Sequence, residues 1–263
     1  MKLKGLIAAV HTPMDDDYSV DYDVVARQAE HLVKGGVSGA FVTGTTGECH
    51  SLTTEERLNL FNAWGQAGHR NGLKFIAHVG HNNLPDAQAL VRSARDSGAD
   101  AISAMAPNFF KPADAQSLCG WFVKMTKPAP ELPFYFYDIP SMTGVMVETD
   151  AFLDIAKERL PGFVGVKFTN QDYDLLQRCM SNTSVKADML FGTDERLIEG
   201  LGFGCVGGVG STYNFASPLY LRIIDAFNRG DMESANEDQA RSLQMIKRMY
   251  KNGFAAACKA AMG

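Results

Sequence analysis

The chain has 263 residues, 46% of them apolar and 21% charged, and its 25 basic against 30 acidic side chains leave a net charge of −5. That is the composition of a soluble globular protein, and with no run of five or more like charges it argues against a polybasic surface for nucleic acid or anionic lipid. No apolar segment approaches the roughly 18 residues that span a bilayer, and length alone admits one large α/β barrel or two ordinary domains.

In chain order, MKLKGLIAAVHTP opens with two lysines and an apolar hexad. The hexad stops at His11 and Pro13 with no small-residue cleavage site, so it reads as a first buried strand and not as a secretory leader. Strand-length apolar runs then recur: GLIAAVHT, GAFVTG, KFIAHVG, AISAMAP, PFYFYDIP, FVGVKFT, DMLFGTD and CVGGVGST. Between them lie helically spaced stretches such as VVARQAEHLVKGG, TTEERLNLFNAWGQAG, DAQALVRSARDSG, DAFLDIAKERL and DLLQRCM. Thr53 with Glu56 forms a capping box, and Gly35 and Gly98 follow apolar helical faces as C-caps. Strand-then-helix units without a composition break predict an α/β fold, a (β/α)8 TIM barrel, in a chain close to the roughly 250 residues typical of it. A doubly wound sheet is the runner-up, but its dinucleotide fingerprint belongs in the first βα turn. The GxGxxG match at Gly202, Gly204 and Gly207 instead follows a helix and enters a strand. Cys49, Cys119, Cys179, Cys205 and Cys258 are scattered without metal-ligand spacing, which points to reduced thiols, as in a cytoplasm, and to no zinc site.

Barrel chemistry sits at the C-terminal ends of the strands. There the sequence places GTTGE (Gly44 to Glu48), Tyr137 in YDIP, Lys167 and Thr169 in KFT, GTDE (Gly192 to Glu195) and GGVGST with Ser211. Two readings of Lys167 stand side by side. Either its head snorkels to solvent, or a desolvated neutral amine attacks a ketone to form a Schiff base, with Val166 and Phe168 as the apolar support. Tyr137, on one strand face with Tyr135, favours the second, because a phenol at the neighbouring strand end can move protons during carbinolamine formation; alone it could equally be a core aromatic. GTTGE offers close backbone approach, two hydroxyls and N–H groups suited to a carboxylate, or a turn that caps the next helix. Asp194 and Glu195 either accept from polyol hydroxyls or occupy an acid-favouring helix start. His78 and His81 straddle Gly80 with no third ligand evident, which suits packing and loop roles better than a metal.

Taken together, GTTGE, the tyrosine of YFYDIP, the lysine of GVKFT and GGVGST resemble the pyruvate-dependent class I aldolases typified by N-acetylneuraminate lyase and dihydrodipicolinate synthase, from about residue 4 to the end of the chain. Met142 stands where the synthases carry a dicarboxylate-binding arginine, and Phe109 where they carry a phenol, so the resemblance is to the sialic acid lyases. It implies a reversible cleavage of N-acetylneuraminate to pyruvate and N-acetylmannosamine. The alternative is a related enzyme acting on another 2-oxo acid, a 2-keto-3-deoxy sugar acid aldolase or a dihydrodipicolinate synthase-like enzyme. By this resemblance Lys167 forms the Schiff base and Tyr137 shuttles protons. Thr45 and Thr46 hold the carboxylate, and Thr169, Gly192, Asp194, Glu195, Gly210 and Ser211 hold the sugar hydroxyls. It further implies no metal or diffusible cofactor, a small 2-oxo acid as substrate and a homotetramer, while the charge pattern predicts no nucleic-acid or membrane partner. Residues 1–231 are expected to form the barrel, and 232–263 the start of a C-terminal helical appendage, cut short relative to the family.

Overall fold

In the computed structural model, which describes residues 3–262, eight parallel strands hydrogen-bond in chain order and close into a barrel. The strands are β1 (Gly5–Ala9), β2 (Gly39–Val42), β3 (Lys74–His78), β4 (Ala101–Met105), β5 (Phe134–Asp138), β6 (Phe163–Phe168), β7 (Asp188–Phe191) and β8 (Gly207–Gly210). Between them run α1 (Val24–Lys34), α2 (Thr54–Asn71), α3 (Leu84–Asp96), α4 (Ala115–Thr126), α5 (Pro140–Thr143) with α6 (Thr149–Arg159), α7 (Tyr173–Ser181), and a 3₁₀ turn (Asp194–Arg196) leading into α8 (Leu197–Gly202). After β8, α9 (Tyr213–Asn228) is followed by a C-terminal helical extension, α10 (Met232–Lys251) and α11 (Phe254–Ala260). The fold is therefore the predicted TIM barrel.

A parallel sheet is covered on both faces, which is why its strands read as unbroken apolar runs. Two apolar clusters result, one between strands and helices and a smaller one inside the barrel. β5 shows how alternation divides them. Phe134 and Phe136 face outward against Phe122 of α4 and Phe152 of α6, with ring centroids 4.9 Å (Phe122–Phe134) and 4.8 Å (Phe136–Phe152) apart. Tyr135 and Tyr137 face inward. Tyr135 donates to Asp188 Oδ2 at 3.2 Å, at the start of β7. Tyr137, two residues on, reaches the opposite end of the barrel.

β6 breaks this alternation. Phe163, Val166 and Phe168 pack with the outer cluster while Val164 packs with the inner one. The register against β5 jumps from Phe134↔Phe163 to Tyr135↔Gly165. One extra residue in a strand reverses the facing of everything after it. Lys167 consequently lies opposite Tyr137, inside the barrel.

Local stop signals are close to expectation. Thr53 and Glu56 form the predicted capping box, with Glu56 N–H donating to Thr53 Oγ1 at 3.2 Å and Thr53 N–H donating to Glu56 Oε2 at 2.7 Å. After α1 the left-handed residue is Gly36 (φ 75°) and not Gly35 (φ −78°): the first glycine ends the helix and the second turns the chain. Gly98 (φ 74°) does take the left-handed position, one residue past the Ser97 cap. α3 begins two residues before the pattern that starts at Asp86, because Asn83 caps it by accepting from Asp86 N–H at 3.1 Å.

Candidate active site

At the C-terminal ends of the strands lies a cavity of about 430 Å³, and every predicted site residue lines it. Lys167 and Tyr137 enter from β6 and β5, Thr45 and Thr46 from the turn after β2, Thr169 from just beyond β6, Gly192, Asp194 and Glu195 from beyond β7, and Gly210 and Ser211 from the end of β8. A second cavity of about 340 Å³ opens at the other end, beside Phe163 and Asp188, and none of these residues reaches it.

Lys167 is 4% exposed, which excludes the snorkelling alternative. Its Nζ lies 3.7 Å from the centroid of the Tyr137 ring and 4.3 Å from that of Phe41. Sequence reasoning gave the supporting role to Val166 and Phe168. Both instead face the outer cluster, because the irregularity in β6 turns them outward when it turns Lys167 inward. Phe41, facing inward on β2, takes the role, and nothing local in GAFVTG shows that it meets β6 across the barrel. His78 packs against both rings, edge-on to Tyr137 with centroids 6.1 Å apart and tilted against Phe41 with centroids 6.0 Å apart. Desolvation, then the neighbouring Arg57, hold the imidazole far below its ordinary pKa. Its Nε2 accepts from Met105 N–H at 3.3 Å, and Arg57 donates to the carbonyl oxygens of His78 and Gly80 at 2.6 and 3.0 Å. His81 accepts from Asn83 N–H at 2.9 Å in the next loop. The packing and loop roles expected of the two histidines are the ones they have.

The Tyr137 hydroxyl lies 3.3 Å from Thr45 Oγ1, and Thr46 Oγ1 lies 2.7 Å from Ser211 Oγ. The two threonines therefore tie the β2 turn to the ends of β5 and β8. Two glycines make room on the far side. A Cβ at Gly192 would come within 1.9 Å of Thr169 Oγ1, and one at Gly210 within 1.9 Å of Asp194 Oδ1. Thr169 Oγ1 is buried without a hydrogen-bond partner, a donor and acceptor aimed at the cavity wall. Asp194 is 6% exposed. Desolvation raises its pKa to about 6, partly offset by Thr212, whose N–H and hydroxyl donate to Oδ2 at 2.8 and 2.6 Å.

Several residues that sequence reasoning passed over belong to the same wall. Tyr250 and Phe254 roof the cavity from the C-terminal extension, their rings stacked at 4.7 Å. His11, at the β1 end, lines it with both ring nitrogens unpartnered, and desolvation followed by the charge of Lys259 lowers its pKa to about 4. Nothing in the sequence near residue 11 announces a contact with residues 250–259. Among the described residues no group of three or more His, Cys, Asp or Glu side chains is placed to hold a metal ion, and no helix is long and apolar enough to cross a membrane.

This geometry has close counterparts. N-acetylneuraminate lyase of Mus musculus is 37% identical over 255 residues, covering 96% of this chain and 80% of the mouse protein. The solved structure of Proteus mirabilis N-acetylneuraminate lyase superimposes with a TM-score of 0.96 at 38% identity, over 100% of this chain and 88% of that one. The N-acetylneuraminate lyase (sialic acid aldolase) of Aliivibrio salmonicida does so with a TM-score of 0.96 at 37% identity, over 100% and 87%. Residues 2–263 match the dihydrodipicolinate synthetase family, and the chain belongs to that family.

Proposed function

We propose that the protein is a class I aldolase that cleaves N-acetylneuraminate reversibly to pyruvate and N-acetylmannosamine. The observation that carries this is a lysine amine packed against a tyrosine ring inside a cavity whose opposite walls offer paired threonine hydroxyls and a buried carboxylate. The named relatives support the choice of substrate.

In this mechanism the Thr45 and Thr46 hydroxyls and their turn's N–H groups hold the carboxylate of the open-chain substrate, which sets its C2 ketone beside Lys167 Nζ. The amine adds to C2, Tyr137 donates a proton to the carbinolamine oxygen, and water leaves to give the protonated imine. Tyr137 then accepts the C4 hydroxyl proton as the C3–C4 bond breaks, and the bond's electron pair moves into the protonated imine to form an enamine. N-acetylmannosamine departs as the aldehyde, Tyr137 passes its proton to C3 of the enamine, and hydrolysis frees pyruvate and the lysine. The imine is the electron sink, so the chemistry calls for no metal or diffusible cofactor. Thr169, Gly192, Asp194, Glu195, Gly210 and Ser211 would hold the sugar hydroxyls. We also assign the protein to a reducing, cytoplasmic compartment, consistent with its buried free thiols, to a homotetrameric assembly, and to a division between barrel and appendage at residues 231 and 232.

Incubation with pyruvate and borohydride tests the chemistry: a reduced adduct mapped to Lys167 is expected, and it is lost in Lys167→Ala. No adduct on the unaltered protein would sink the aldolase assignment. An adduct together with inert N-acetylneuraminate would leave the machinery standing and pass the substrate to another 2-oxo acid.

A further inference from the structure

The turn that carries Thr45 and Thr46 is held in a shape its own residues resist. Thr43 (φ 51°) and Glu48 (φ 58°) both occupy the left-handed region, which non-glycine residues keep only when their surroundings enforce it. Three neighbours do so. Thr12 donates to the Gly47 carbonyl at 2.8 Å, Thr43 donates to the His78 carbonyl at 3.2 Å, and Lys259 Nζ of α11 pairs with Glu48 Oε1 at 2.6 Å. Lys259 and Glu48 are each 31% exposed at the side chain, so their pair is only partly screened. Glu48 N–H in turn donates to the Thr45 carbonyl at 3.0 Å, so the pair is one hydrogen bond from the threonines.

The charges matter as much as the geometry. Glu48 carries a carboxylate in the turn suited to the substrate's own, and a like charge left uncompensated there disfavours binding. His11, which lies in the field of both Glu48 and Lys259, is neutral above its pKa of about 4 and brings no compensating charge. Lys259 supplies it from the far end of the chain.

We propose that Lys259 is a positioning residue for the substrate carboxylate. Acting through Glu48, it fixes the Thr45–Thr46 turn and cancels the charge that would repel a 2-oxo acid. The proposal rests on the aldolase assignment above and adds a residue outside the cavity to it.

The test is the pyruvate concentration that half-saturates borohydride trapping on Lys167, read by intact mass on the full chain. Lys259→Met is expected to raise it about tenfold, with the maximal yield of adduct unchanged. Lys259→Arg should restore it, and adding Glu48→Gln to Lys259→Met should recover much of the loss by removing the stranded anion. Unchanged half-saturation in Lys259→Met would overturn the proposal. So would a double variant as weak as the single one, since that pattern belongs to a helix that has merely come loose. Absence of any adduct on the unaltered protein overturns the aldolase assignment and this proposal together, whereas adducts that are equal in every variant overturn this proposal alone.

Discussion

A lysine near the end of a strand can face water or the barrel axis, and at residue 167 the motif alone left both open. The contact with the Tyr137 ring at 3.7 Å shows what decides the matter. Tyr137 was legible because FYFYD alternates cleanly. Phe41 was not, because its role depends on β2 lying across the barrel from β6. If the Tyr137 phenol moves protons and does not hold substrate, Tyr137→Phe should lower kcat by about 10² to 10⁴-fold while half-saturation of pyruvate trapping changes little; equal losses in both would contradict the assignment. Asp194 makes a second prediction. Burial raises its folded pKa to about 6 from the ordinary 3.8, so the carboxylate is ionised above that value and gains a proton as pH falls through it. If Asp194 accepts from the sugar hydroxyls as proposed, KM for N-acetylneuraminate should therefore rise below about pH 6. Asp194→Asn should flatten that limb while raising KM at neutral pH, both readable from steady-state kinetics across pH 5 to 8.

At the scale of elements, β6 explains why pattern reading could find the strand and not its facing. Counting by twos from the outward Phe163 sends Lys167 outward as well, and only the extra residue before Gly165 corrects the parity. Gly165 also permits the contact with β7, because a Cβ there would sit 2.1 Å from the Asp188 carbonyl oxygen, which is backbone and cannot swing aside. Gly165→Ala should therefore destabilise the fold by about 1–3 kcal/mol, the usual range for overpacking, measured as a lower urea midpoint. A variant as stable as the parent would mean that β6 and β7 separate freely. A helix boundary was legible at Thr53, where the capping box is written in the sequence, but not at Asn83, whose side-chain cap sets the start of α3 ahead of the apolar pattern. Nor was it legible where two glycines compete, as at Gly35 and Gly36, since only the backbone reveals which of them turns the chain.

For the whole molecule, eight strand-like runs without a composition break were enough to name the barrel, and the barrel told where to look for chemistry. The C-terminal roof was beyond reach, because Tyr250 and Phe254 come to line one cavity with His11 only through the closed fold. Phe109 and Phe110, 76% and 88% exposed, lie in the loop after β4, and Met142 and Met146, 62% and 77% exposed, in the segment after β5. Apolar surface of this kind suits contact between copies, and light scattering coupled to size exclusion should report a tetramer of the 28.6 kDa chain. A double Phe109→Ser, Phe110→Ser variant should shift toward smaller species, and a parent that elutes as a monomer would refute the assembly. β8 carries a last consequence. Its GGVG run brings backbone to places where side chains would collide: a Cβ at Gly207 would meet the Gly5 carbonyl at 2.4 Å, and one at Gly210 would meet Asp194. At Gly210 that wall of the cavity is drawn by the main chain, packed so closely on Asp194 that no side chain can be added there. Efforts to widen the range of accepted aldehydes would accordingly find their freedom on the opposite rim, at Ser141, Met142 and Gln171, where side chains and not backbone set the boundary.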